Sequence, residues 1–203
     1  MNNCKPLTAT QKKSMYASEL LKRYAAGERD FKNITLSGAE LSGAYLSGID
    51  LSRAELIGAN LAHATLNTAN LSEANLTGAN LLQANLFGAF LSGADLSHAV
   101  LTAANLTESD LSGASLINAD LSDALLHLTC LSEADLQGAN LTGARMCGAR
   151  LWKANLCDAN LNGADLCDAN LCEANLCGAN LEAADTSEAA LTGAIMPHGD
   201  AHD

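Results

Sequence analysis

Residues 134–141 read ADLQGANL, and the same alternation of a small residue, a polar residue and a leucine recurs as ANLTGANL at 74–81 and ANLCDANL at 154–161. Extended in both directions, the leucines keep a step of five from Phe31 to Met196 without a slip. Of these 34 positions 30 are Leu, the others being Phe31, Met146, Thr186 and Met196. Two residues earlier, Ala fills 29 of the 33 positions from 34 to 194, with Ile34, Ile49, Ser109 and Thr129 as exceptions. A step of five turns a helical side chain by about 500°, so successive leucines would share no face of an α-helix. On a flat strand an odd step sends alternate leucines to opposite faces. The pattern closes only if the chain turns a corner once per repeat, directing each Leu and its Ala toward one axis.

These motifs resemble the A(D/N)Lxx signature of the pentapeptide-repeat proteins, over about four-fifths of the chain. The resemblance implies an all-β solenoid, a right-handed quadrilateral β-helix with four pentads per coil, the central Leu and the Ala two before it inward. The five-residue period alone does not set the number of sides. With four, the 34 central positions make about eight and a half coils, and stacking at roughly 4.8 Å gives a rod about 40 Å long. Residues 20 apart then stand in one column.

The rest of the chain is short. Residues 1–7 read as a disordered tail. Thr8 with Gln11 fits a capping box opening a helix over 8–27, closed by Gly27, with Met15, Leu20, Leu21 and Tyr24 as its apolar stripe. Such a helix would cover the open edge of the first coil. YAAGERDF at 24–31 resembles the lead-in of cyanobacterial-type members. The repeat body spans 28–196 and a polar tail 197–203, which either folds over the last coil or leaves it for an end-to-end homodimer.

The composition narrows the possible functions. The polar, basic start and the lack of an 18-residue apolar run point to an unexported, cytoplasmic protein without membrane association, and the seven cysteines then read as reduced thiols. Six of the 11 basic residues precede residue 31, leaving five basic and 20 acidic side chains afterwards. Direct nucleic-acid binding needs clustered cations and is disfavoured. An acidic rod could instead imitate duplex DNA and bind or inhibit DNA gyrase or another DNA-binding protein, as similar members of the family do; Asp110, Asp120 and Asp123 are the candidate acids. Solubility of a rod is the plainer explanation of the charge.

The most uneven stretch is DALLHLTC, 123–130. Leu125, His127 and Leu128 there, with Phe87 and Phe90, are candidate partner-binding residues, against simple drift in a tolerant repeat. Ser109 and Thr129 are expected to stack inside the rod and to hydrogen-bond to one another. Cys147 is expected to stack on Cys167, and Cys157 on Cys177 across the rod, too far apart for four thiols to share one metal. Cys172 falls in the column of Trp152, and Cys130 in that of Arg150, a cation that favours its thiolate. No nucleophile and base share a register, so neither an enzyme nor a cofactor or metal site is expected. The reading that results is a non-enzymatic rigid rod serving as a protein-interaction scaffold.

Overall fold

The computed structural model describes residues 13–202. Its elements are a short strand β1, Lys13–Ser14, a helix α1, Ala17–Ala25, and a strand β2, Ile34–Thr35. From Asp30 onward, single parallel bridges join every fifth residue, the one before each central position, to the residue 20 later, from Asp30↔Asp50 to Asn175↔Ile195. A coil is therefore four pentads, and the architecture is the right-handed quadrilateral β-helix.

The pentad follows from where its five N–H groups go. In 139–143, the Ala139 N–H turns back to Leu136 O at 3.0 Å, Asn140 reaches Ala119 O one coil below at 2.9 Å, and Leu141 reaches Asn160 O one coil above at 2.7 Å. Gly143 bonds Asn162 O at 2.9 Å. The remaining donor, Thr142 N–H, is capped by Asn140 Oδ1 at 3.2 Å. An Asn or Asp before the leucine thus supplies the one acceptor that stacked backbones do not offer. The residue two after each leucine takes a left-handed conformation, as at Gly143 with φ 65° and Leu128 with φ 56°. Glycine enters that region without a Cβ penalty, whereas a branched Leu is costly there.

The interior is the expected column of leucines and alanines, essentially without exposure from Leu46 to Leu176. Ser109 and Thr129 are buried among them, but they do not bond one another as the stacking suggested. Both donate to Leu106 O, at 2.7 and 2.8 Å, because that carbonyl points into the gap between the two side chains.

The N-terminal cap differs from the expected helix over 8–27. The helix begins at Ala17, with Tyr16 at its N-cap and no side-chain cap bond. Lys13–Ser14 runs parallel to Ile34–Thr35, so the edge of the first coil is satisfied by extended backbone that cannot also be helical. The Thr8–Gln11 capping box and the 1–7 tail lie outside the described residues. Leu20 and Met15 are buried beside Phe31, and Tyr24 Oη donates to Ser47 O at 2.8 Å. Leu21, placed in the apolar stripe, faces outward with 38% exposure.

At the other end the tail doubles back. Ala201 pairs antiparallel with Ile195, the Met196 N–H donates to Asp200 O at 2.8 Å, and the His202 N–H to Ala194 O at 2.8 Å. One side of the last coil is thereby paired, while Leu181, Leu191 and Met196 stay half-buried.

Candidate interaction surface

Each face of the rod presents two outward columns, one before and one after the central residues, with the left-handed residue at the corner. The columns place the candidate residues unambiguously. Leu125, His127 and Leu128 belong to one pentad on the face centred on Leu46, Leu66 and Leu126. Leu125 stands where Asn105 stands one coil below and Arg145 one coil above. Lacking an acceptor, it leaves the His127 N–H without the cap that Asn105 gives Thr107 at 3.1 Å. Leu128 is 56% exposed and leans over Gly148, its Cδ2 occupying the space that a Cβ there would need.

Phe87 shares the column of His127 but lies two coils away, with Thr107 between, a gap of roughly 10 Å. It is 38% exposed. Phe90, 52% exposed, sits on the adjoining face between Asn70 and Asp110. The five candidates therefore form three separate apolar points and no single patch. Tyr45, at 79% the most exposed aromatic on the face of Leu125, was not singled out from the sequence. Its signal was available, since it is the one aromatic in a column that otherwise holds Thr65, Asn85, Asn105, Leu125, Arg145, Asp165 and Asp185.

The candidate acids are also dispersed. Asp110 and Asp120 are half a coil apart and so occupy opposite faces, while Asp123 is the corner of the pentad that carries Asp120 and turns its Oδ1 over Gly143. Asp110 accepts from the Ser112 N–H and hydroxyl at 3.0 and 2.6 Å. Asp120 accepts from four donors: the Ser122 N–H at 3.1 Å, the Ser122 hydroxyl at 2.7 Å, Thr102 Oγ1 at 2.9 Å and Asn140 Nδ2 at 2.9 Å. Partial burial pushes its pKa up, but the bonds from Ser122, Thr102 and Asn140 outweigh it and hold the carboxyl below the ordinary aspartate value. Asp110 and Asp120 cap the coil backbone, and the three acids make no common charged stripe.

Side-chain amides bond along the columns only in part. Asn180 donates to Asn160 Oδ1 at 3.1 Å and Asn140 to Asp120, but Asn160 reaches Thr142 Oγ1 at 2.9 Å instead. Between neighbouring coils, Arg53 grips Glu73 through Nε and Nη2, both at 3.0 Å. Lys153 bridges to Glu173 at 3.5 Å and lies 4.3 Å above the Trp152 ring. Sequence reasoning passed over both pairs, which the 20-residue spacing exposes.

The thiols follow the columns. Burial raises the Cys130 pKa, yet hydrogen bonds from Ser112, Ser132 and Arg150 overcome it and bring the thiol below its usual range; Ser112 Oγ is 3.0 Å from its sulfur. Cys167, hydrogen-bonded first to Cys147 and then to Asp165, is pushed up to about 12. The Sγ atoms of Cys147 and Cys167 and a carboxylate oxygen of Asp168 all lie within 4.8 Å of one another.

A convex rod implies no pocket, yet a shallow cleft of about 330 Å³ separates the N-terminal segment from the first coil. It is lined by Ser14–Ala17 and Thr35–Glu40.

A coil of four pentads, closed by Leu and Ala and capped by Asn or Asp, defines the class of protein. The chain belongs to the pentapeptide-repeat family: the family model, described as pentapeptide repeats, matches in eight copies between residues 35 and 196. Among solved structures the chain is similar to HetL, a pentapeptide repeat protein involved in heterocyst differentiation regulation from the cyanobacterium Nostoc sp. strain PCC 7120. The two are 37% identical over 93% of this chain and 100% of that one, with a TM-score of 0.32. It is also similar to alr5209 from Nostoc PCC 7120, 36% identical over 62% of this chain and 84% of that one, TM-score 0.31. QnrB1, a plasmid-mediated fluoroquinolone resistance protein, is 22% identical over 77% and 83% of the two chains, TM-score 0.44. No curated protein sequence matches the chain. Pentapeptide-repeat proteins are generally non-enzymatic structural or interaction scaffolds.

Proposed function

We propose that this chain is a non-enzymatic interaction scaffold, a rigid acidic rod that presents the pentad of Leu125, His127 and Leu128 to a protein partner in the cytoplasm. The observation that carries the proposal is Leu128. It is a bulky apolar side chain, more than half exposed, held at φ 56° in a corner that glycine fills one coil above. Strain retained at an exposed position suits contact better than folding. Leu125 adds apolar surface in a column otherwise polar or aromatic. Charge mimicry of DNA has less support, since Asp110 and Asp120 face opposite ways and both are engaged in capping.

The test is affinity capture with the full chain against a variant carrying Leu125→Ser and Leu128→Ser. Both side chains lie outside the core, so thermal unfolding should be unchanged while the captured partner is lost. An identical captured set from both proteins would remove this pentad from the function.

A further inference from the structure

The Cys147, Cys167 and Asp168 cluster is unused by the scaffold reading. Cys147 follows Met146 and Cys167 follows Leu166 in successive coils, and the Gly148 N–H bond to Cys167 O at 2.9 Å locks those coils in register. The Cys167 N–H is held by Asp165 Oδ1 at 3.1 Å and the Asp168 N–H by Ser187 O at 3.0 Å, which fixes the backbone carrying two of the three donors. We propose that Cys147, Cys167 and Asp168 form a binding site for a thiophilic divalent cation, with zinc as its natural occupant.

The geometry is close to what zinc requires. A tetrahedral ion with Zn–S bonds near 2.3 Å separates its ligand atoms by roughly 3.8 Å, and all three donor atoms here fall within 4.8 Å of one another. Side-chain rotation closes the difference without moving the coil. Both thiols are half-buried and Asp168 is exposed, so the ion has an open path and water completes its fourth position. Two adjacent thiolates repel one another unless a positive charge lies between them. A divalent cation supplies that charge: each Sγ–H bond breaks, each sulfur binds the ion, and two protons pass to solvent with no change of oxidation state. Asp165, Asp185 and Glu188, in the adjoining columns, add negative potential, with Arg145 as the opposing cation beneath Asp165.

The chain contains its own control. Cys157 and Cys177 stack in the same way on the opposite face, but Asp158 turns over Gly178, and among the described residues no third donor joins that pair. The sequence reading weighed thiol against thiol and so overlooked Asp168, the residue 21 after Cys147.

The experiment titrates Cd²⁺, and separately Zn²⁺, into the full chain kept reduced by a phosphine. It follows the ultraviolet cadmium–thiolate absorption and, by calorimetry in buffers of different ionisation enthalpy, the protons released. One equivalent should bind with proton release, Cys147→Ser and Cys167→Ser should each abolish the absorption, and Cys157→Ser should leave it unchanged. Asp168→Asn should weaken binding by about 10-fold or more. The four substitutions lie on the surface, so matched unfolding curves check folding. Absorption retained in either Cys147→Ser or Cys167→Ser, or lost equally in Cys157→Ser, would overturn the site, and unchanged affinity in Asp168→Asn would reduce it to capture by two thiols and overturn the three-donor assignment.

Discussion

Ser109 and Thr129, one coil apart inside the rod, donate their hydroxyls to the same acceptor, the carbonyl of Leu106, at 2.7 and 2.8 Å. That carbonyl also receives the Ser109 N–H at 3.1 Å, so it is amply satisfied. Thr129 strains its corner: its N–H reaches Leu126 O only at 3.3 Å and the Leu128 N–H reaches Cys147 O at 3.2 Å, whereas Ala119 and Ala139 make the equivalent turn at 3.0 Å. Thr129→Ala removes one net hydrogen bond, about 1 kcal/mol, and relaxes the corner. The expected change in urea unfolding free energy is below about 1 kcal/mol. A loss above about 2 kcal/mol would show that the shared acceptor matters more than the geometry indicates.

The corner conformation has its own cost. Gly178 has φ 70°, and a Cβ there would enter the space held by the Asp158 carboxylate. Gly178→Ala is therefore expected to destabilise the rod by about 1–2 kcal/mol. Equilibrium denaturation measures it, and Asp158→Ala in the same background should recover part of the loss by vacating the space. No recovery would assign the whole effect to the backbone.

Much of the fold could be read from the leucines, because inward packing is periodic and each Leu reports its own pentad. The four sides came from resemblance, since a period of five is compatible with other cross-sections. The start of the helix was misplaced because Lys13–Ser14 is dictated by Ile34–Thr35, a non-local pairing that no local capping pattern reveals. The Ser109–Thr129 proximity was legible, but their acceptor is a backbone carbonyl without a sequence signature. The opposite placement of Asp110 and Asp120 was within reach of the 20-residue spacing, being half that spacing apart. Leu125 and Leu128 stood out as leucines at outward positions, Leu125 where Asn105 stands one coil below and Leu128 where Gly148 stands one coil above, whereas Leu128's strain required its φ.

Stability should depend on pH through the capping carboxylates. Asp120 has a folded pKa held below the ordinary 3.8, and Asp50 and Asp95 are displaced in the same direction. A depressed folded pKa means stabilisation that is present above the unfolded value and lost as pH falls through the folded one. The rod should therefore weaken progressively below the ordinary aspartate range, and Asp120→Asn should flatten that slope. Thermal midpoints recorded across the acid range test this; a slope equal to that of the native chain would deny Asp120 a part.

The doubled-back tail pairs one side of the last coil and leaves Leu181 and Leu191 half-buried. Deleting residues 197–203 frees the Gly193 and Met196 N–H groups, which donate to His202 O and Asp200 O at 2.9 and 2.8 Å, and lengthens the open edge. Light scattering should show the shortened chain associating into dimers at concentrations where the full chain is monomeric. Equal masses for the two chains would mean that the tail does not govern the end.

The most direct test compares partner capture by three proteins: the native rod, the Leu125→Ser and Leu128→Ser rod, and a rod with Asp110, Asp120 and Asp123 all changed to Asn, with each also titrated into a DNA gyrase supercoiling assay. A scaffold acting through the Leu125–Leu128 pentad loses its partner only in the serine variant, and none of the three inhibits gyrase. Partner binding or gyrase inhibition that survives the serine changes and disappears with the three aspartates would contradict that reading and establish the acidic surface as the functional one.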